Sequence, residues 1–241
     1  MKMNKRVLLV TGSNDVNKEL FDPNGEDNSS YEELCEMTFP SKQRYAKKHG
    51  YDLIHIRNFG NDVNGVIKDN ETWHFRVYRS FMLLNEYDLV MWLDADALIT
   101  NCDIPIENFG VDEDFTFFAS YAWPWKKSFS TGNFILKKTN KAKELFQSYY
   151  QILRNFEHEQ ATLNYIHQKN YNNLGNTFKV LEHKYFDSIP SIQMYNSVGV
   201  DWGNRPEINY PWNKDSFMVH LTGVWNKNRV DIAKKYFSEY L

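Results

Sequence analysis

Apolar runs alternating with amphipathic helical segments constrain this chain more than any other feature. Val7 to Val10 reads as a buried strand, Tyr31 to His49 as a helix, Tyr51 to Ile56 as a second strand, Trp73 to Asn85 as a second helix and Leu89 to Leu93 as a third strand. Strands separated by helices pair in parallel through crossovers, so the first third predicts a mostly parallel sheet. Pro40 is expected to break or restart the first helix, and Gly50 to stop it. Thr11-Gly12-Ser13-Asn14 reads as a turn of small polar residues, and Asn17 to Ser30 and Gly60 to Asn70 as polar loops. Further strands are expected at Phe115 to Tyr121, Asn133 to Lys137, Phe178 to Leu181 and Phe217 to Leu221. Further helices are expected at Asn140 to Phe156, Glu159 to Lys169 and Asn228 to Tyr240, so the second half is mixed.

At 241 residues, with no repeat, linker or low-complexity tract, the economical reading is a single α/β domain over the whole chain. A net charge of −3 provides no global basic field, which argues against a nucleic-acid partner. Cys35 and Cys102 form no spacing pattern, as befits a reducing compartment. The basic start, Met1 to Arg6, precedes an apolar run of only Val7 to Val10, too short for a signal-peptide core or a membrane span. The expectation is a soluble cytoplasmic chain. Aromatic residues reach 16%, and Tyr and Trp suit sugar rings and nucleobases as well as cores.

Chemistry concentrates at strand ends, where open α/β sheets bind ligands. Leu89 to Leu93 closes on Asp94-Ala95-Asp96. If the extended geometry continues, the two carboxylates share a face and suit Mg²⁺ or Mn²⁺, which can in turn hold a diphosphate. A solvated Asp-rich turn is the plain alternative. The first strand ends in Thr11, Gly12 and Ser13, which can read a base or ribose or form an ordinary turn. The last ends in His220, either a core residue or a third metal ligand. Gly223 allows close approach to a phosphate, and Lys227 or Arg229 can neutralise its charge.

Together these segments resemble a GT-A-fold glycosyltransferase, closest in pattern to glycosyltransferase family 34, the galactosyl- and xylosyltransferases, with features of family 8. The resemblance is carried by Ser41 to Tyr51, Trp73 to Arg79, Trp92 to Ile99, Ser130 to Ile135 (read as a small-residue turn before a strand) and Asp215 to Gly223. It implies an α/β GT-A (Rossmann-like) fold, with a central mixed, mostly parallel sheet flanked by helices, acting as one catalytic domain. It also implies transfer of a sugar from a UDP-sugar donor to a hydroxyl of a glycan or glycoconjugate acceptor. Mn²⁺ or Mg²⁺ would be held by Asp94, Asp96 and His220. Arg79, Asp94, Ala95, Gly223 and Lys227, with the end of the first strand, would meet the nucleotide.

Glu159-Gln160 resembles the acidic residue plus Gln that face the reacting sugar carbon in families 34 and 8, both retaining. A helix N-terminus explains an acid at Glu159 but not Gln160. Trp123 and Trp125, around Pro124, are candidate acceptor platforms, with Trp202, Trp212 and Trp225 behind them. Family 34 enzymes of eukaryotes usually carry a membrane anchor, which this chain is expected to lack; it also departs from the family in carrying Val224 where a cysteine often follows the glycine, and in the late position of Lys227. Two competing readings are a haloacid-dehalogenase-like Mg²⁺ phosphatase, whose Asp-x-Asp normally sits on an early strand, and a non-catalytic carbohydrate-binding module.

Overall fold

The computed structural model describes residues 5–13, 31–57, 72–109, 115–122, 125–181, 186–200, 211–222 and 226–241. Eight strands lie among them: β1 (Val7–Ser13), β2 (Asp52–Arg57), β3 (Leu89–Asp94), β4 (Ala97–Ile99), β5 (Phe117–Ala122), β6 (Trp125–Lys137), β7 (Phe178–Leu181) and β8 (Met218–His220). The α-helices are α1 (Tyr31–His49), α2 (Thr72–Leu83), α3 (Ala142–Ile152), α4 (Glu159–Gln168), α5 (Ile192–Asn196) and α6 (Asn226–Tyr236). Six strands form one sheet in the order β2-β1-β3-β6-β5-β7, and β4 pairs with β8 in a small ribbon. Only β6 runs against its neighbours in the large sheet. This is the mixed, mostly parallel α/β architecture expected.

Strand alternation explains how both sheet faces are buried. In β3, Val90 and Trp92 join a core with Phe75 and Phe81 of α2 and Leu145 and Tyr149 of α3. Leu89, Met91 and Leu93 point the other way, into a second core with Tyr45 of α1, Ile99 of β4 and Phe217. A third core gathers Leu98, Val219 and Leu221 of the ribbon region against Tyr195 of α5 and Ile232 of α6. The ribbon is therefore clamped between two cores, which fixes its position relative to the end of β3.

Three expectations are corrected. Thr11, Gly12 and Ser13 do not form a turn; they continue β1, because β2 and β3 offer pairing partners on both edges. Pro40 does not break α1. Leu34, Thr38, Ser41, Lys42 and Tyr45 are all fully buried, so one buried stripe crosses the proline and holds both halves in a single helix. Ser130-Thr131-Gly132 lies inside β6, where the β5–β6 register shifts. Small residues suit such a bulge. Side chains of α4 occupy the hydrogen-bonding positions around it: Asn164 accepts from Phe129 N (2.9 Å) and donates to Phe129 O (3.0 Å), while Gln160 Oε1 accepts from Thr131 N (3.3 Å).

Candidate active site

Asp94 is the last residue of β3, and Ala95 and Asp96 form a turn before β4. The two aspartates thus converge through a turn, not along a continuous strand. That turn is tied down from α1. Thr38 Oγ1 donates to Ala95 O at 2.6 Å, and the fully buried Lys42 donates through Nζ to Asp94 O at 2.9 Å and Thr11 Oγ1 at 3.1 Å. Burial pushes the Lys42 ammonium down from its ordinary range, against the pull of Cys35, Asp96 and Asp94.

The ribbon delivers the histidine. Ala97 stands opposite His220, and Leu221 N donates to Asp96 O at 3.0 Å, so the imidazole lies beside the Asp96 carboxylate. One donor atom each from Asp94, Asp96 and His220 falls within 4.8 Å of the others. Gly132 makes room for them, since a Cβ there would sit 2.5 Å from His220 Cε1 and 3.0 Å from Asp94 Oδ2. Two carboxylates and an imidazole converging on one point fit a divalent cation such as Mn²⁺ or Mg²⁺.

Cations surround this cluster. Arg76 of α2 donates Nη1 to both Asp94 oxygens (2.7 and 2.8 Å) and Trp92 Nε1 donates to Oδ1 (2.7 Å), from the same face two residues earlier. Arg76 Nε also lies 3.2 Å from Glu159 Oε1, bridging the two acids. Asp96 is held by His220 Nε2 (3.2 Å) and by Arg229 Nη1 (3.1 Å). Burial opposes ionisation of Asp96, but His220 and Arg229 outweigh it and hold the carboxyl well below the usual range. Burial likewise disfavours a charged His220, yet Asp96 and Asp187 raise its imidazole well above the ordinary value. At Asp94, burial pushes the carboxyl upward against Arg76.

Glu159 opens α4 and is buried, accepting from Thr131 Oγ1 at 2.7 Å. Its other oxygen has no hydrogen-bond partner among the described residues. Gln160 is half-buried and bonded to Thr131 N, one residue from Gly132. The Glu159–Gln160 pair therefore adjoins the Asp–Asp–His cluster through β6.

The remaining expected residues divide. Thr11 is fully buried with Lys42 on its hydroxyl, so its side chain braces the fold and does not open to a ligand. Gly12 is paired on both sides, with Ile56 and Asp94, and Ala95 is buried. Arg79 lies half-buried on α2 with Nε lacking a hydrogen bond among the described residues; Arg76, one turn earlier, is the arginine that reaches Asp94. Lys227 is exposed on the first turn of α6, whereas Arg229 reaches Asp96. Trp212 is half-buried, packs on Phe237 and donates to Thr100 Oγ1 (2.9 Å). Trp123, Trp202, Gly223 and Trp225, and the side chains of Ser13 and Trp125, lie outside what the structure describes.

Sequence reasoning missed Arg76, Asn133, Asp187 and Lys42. Only Arg76 carried a usable signal, as the arginine on the helix preceding the Asp-x-Asp strand. The described residues contain no helix long and apolar enough to cross a membrane.

Comparison with known proteins gives this geometry a context. The galactosyl transferase GMA12/MNN10 family model matches residues 3–115, and the nucleotide-diphospho-sugar transferase model matches residues 79–229. No curated protein matches the chain. Among solved structures, a glycosyltransferase involved in the glycosylation of the major capsid of PBCV-1 aligns at TM-score 0.60 and 15% identity, covering 95% of this chain and 99% of that one. The bifunctional glycosyltransferase WbbM aligns at TM-score 0.55 and 12% identity, over 98% of this chain and 50% of that one. The galactosyltransferase LgtC, with donor and acceptor sugar analogues, aligns at TM-score 0.50 and 13% identity, over 97% of this chain and 100% of that one. At such identities the likeness is one of fold. The Asp–Asp–His cluster stands within the stretch matched by the second family model, and the chain belongs to the nucleotide-diphospho-sugar transferase family, as a glycosyltransferase of the GT-A fold.

Proposed function

We propose that this protein, acting as a single catalytic domain, transfers a sugar from a UDP-sugar to a hydroxyl of a glycan or glycoconjugate, with retention of configuration and with Mn²⁺ or Mg²⁺ held by Asp94, Asp96 and His220. The observation that carries the reading is the convergence of three donor atoms within 4.8 Å from the end of β3, the turn after it and β8. A divalent cation there supplies Lewis-acid stabilisation of the departing diphosphate.

The chain's own groups do the rest. Of the two cations expected to neutralise phosphate charge, Lys227 and Arg229, Arg229 is the one anchored beside the cluster, on Asp96. Arg79 Nε, buried without a hydrogen bond among the described residues, is a donor suited to the nucleotide-sugar. Asp94 and Ala95 border the ribose, and Gly223 the phosphate. Glu159 and Gln160 stand toward the anomeric carbon, supported by their attachment to Thr131 beside Gly132. The oxygen of Glu159 left without a partner among the described residues suits it to stabilise positive charge developing on the sugar. Trp123 and Trp125, between β5 and the start of β6, are proposed to stack on the acceptor.

The match of residues 79–229 to the nucleotide-diphospho-sugar transferase family gives the phosphatase reading no support. The test is a donor panel of UDP-galactose, UDP-glucose and UDP-xylose with Mn²⁺, read by UDP release in wild type and Asp96→Ala. The expected result is metal-dependent release from at least one donor and its loss, by about a hundredfold or more, in the variant. A wild type that neither releases UDP nor binds it in calorimetry with Mn²⁺ would refute the proposal.

A further inference from the structure

Asp187 and Asn133 are not among the proposed cation ligands, yet they join those ligands to one another. His220 Nδ1 lies 3.2 Å from Asp187 Oδ1, and the same oxygen accepts from Asn133 Nδ2 at 3.0 Å. Asn133 Oδ1 accepts in turn from Asp94 N at 3.2 Å. The path runs from the backbone of one proposed ligand, through an amide and a carboxylate, to the ring of another.

Burial makes this path consequential. Asn133 is 0% exposed, Asp187 1% and His220 5%, so water cannot readily replace a lost partner. Backbone pairing sets the geometry on both sides of the histidine. His220 N donates to Ser188 O at 2.7 Å, and Ser188 bridges Val219 in parallel, which places Asp187 next to the ring. On the other edge of β8, Ala97 pairs with His220 and carries the adjoining Asp96. Asn133 is fixed because it stands opposite Leu93 in the β3–β6 ladder, one residue before Asp94. Each side chain is delivered by a different element: β6, the segment preceding α5, and β8.

A histidine has two ring nitrogens, and the partner of one decides what the other offers. A carboxylate on the distal nitrogen fixes the tautomer and ring orientation and makes the remaining nitrogen a better ligand. Resting on the metal site proposed above, we infer that Asp187, seated by Asn133, is a positioning residue that keeps the Nδ1–H of His220 engaged and aims Nε2 at the cation, while Asn133 couples that orientation to the end of β3. A packing role alone would be indifferent to replacement of the carboxylate by an amide of the same shape. The brace predicts a graded loss instead.

The experiment uses the full chain as wild type, Asp187→Ala, Asp187→Asn and Asn133→Ala. Two readouts are taken: Mn²⁺ affinity by electron paramagnetic resonance, and the downfield Nδ1–H proton of His220 by NMR in metal-free protein. Asp187→Ala is expected to weaken Mn²⁺ binding about 10–100-fold and to lose the downfield Nδ1–H signal, because the hydrogen bond that shifts it is removed. Asp187→Asn, which keeps an acceptor oxygen, should recover part of both, and Asn133→Ala should fall between. Should Asp187→Ala fail to fold, Asp187→Asn still reports both quantities. Wild-type affinity and an unchanged Nδ1–H in the Asp187 variants would overturn the inference. A wild type that binds no Mn²⁺ would remove the metal site instead. The proton signal then decides the brace: its loss in Asp187→Ala supports it, its persistence overturns it.

Discussion

His220 shows at the scale of one residue how environment and not residue type sets chemistry. Burial alone would favour a neutral imidazole, but the carboxylates of Asp96 and Asp187 on its two nitrogens lift it well above the ordinary histidine value of about 6.5. A base raised on folding stabilises the native state fully below its unfolded pKa, and that contribution is lost as pH rises through the folded value. Metal-free protein is therefore expected to lose stability from this group as pH is raised above neutrality, with a slope of at most about 1.4 kcal/mol per pH unit. Asp96 has the opposite sign: its lowered carboxyl contributes above the unfolded value and is lost only when acid reaches the folded one. Urea unfolding in chelator between pH 6 and 9, compared with His220→Gln, isolates the histidine. A wild-type slope no different from the variant's would contradict the assignment. The sequence marked His220 as worth weighing because it ends an apolar run. It did not reveal Asp187 as its partner, since the two stand 33 positions apart and are brought together by backbone pairing of Ser188 with Val219.

At the scale of elements, the Asp-x-Asp turn is stable because α1 reaches over it. Lys42 is fully buried and points its ammonium at the carbonyl of Asp94 and the hydroxyls of Thr11 and Thr38. Lys42→Met would keep the packing of the stem but leave those oxygens short of a donor. The expected cost is about 1–3 kcal/mol, visible as a lower denaturant midpoint with unchanged slope. A change within 0.5 kcal/mol would mean that the turn holds itself. Nothing in the sequence separates this lysine from Lys47 and Lys48, which follow it on the same helix and are exposed. Elements themselves were largely legible: α1 and β7 begin and end where hydropathy placed them, and β3 extends one residue further, because their patterns are local. Errors fell where tertiary partners overrode local chemistry. The small polar end of β1 is extended by β2 and β3, and the small residues of β6 are held in a bulge by α4.

Across the whole molecule, the site is a charge balance assembled from every layer. Arg76 comes from α2 on one sheet face and reaches Asp94, while Arg229 from α6, which packs into the third core, and His220 from the ribbon both reach Asp96. On the function proposed, a divalent cation entering this cluster would compete with the guanidinium groups already paired to Asp94 and Asp96, so binding of the metal alone would be opposed. An incoming diphosphate would reverse the situation, giving Arg229 an alternative anion and the proposed cation further oxygen ligands. Metal and nucleotide should therefore bind with positive coupling, each raising the affinity for the other by the same factor. Because ligands stabilise the native state by mass action, about 2.7 kcal/mol at a hundredfold excess over Kd, the coupling is readable in thermal unfolding. Mn²⁺ alone and UDP alone should each raise Tm by little, and the two together by more than the sum, on the order of 5–10 °C. Arg229→Gln should ease entry of Mn²⁺ alone by freeing Asp96, while shrinking the extra shift that UDP adds. Additive shifts in wild type, or an Arg229→Gln protein in which both quantities match wild type, would show that the arginine does not mediate between the two ligands.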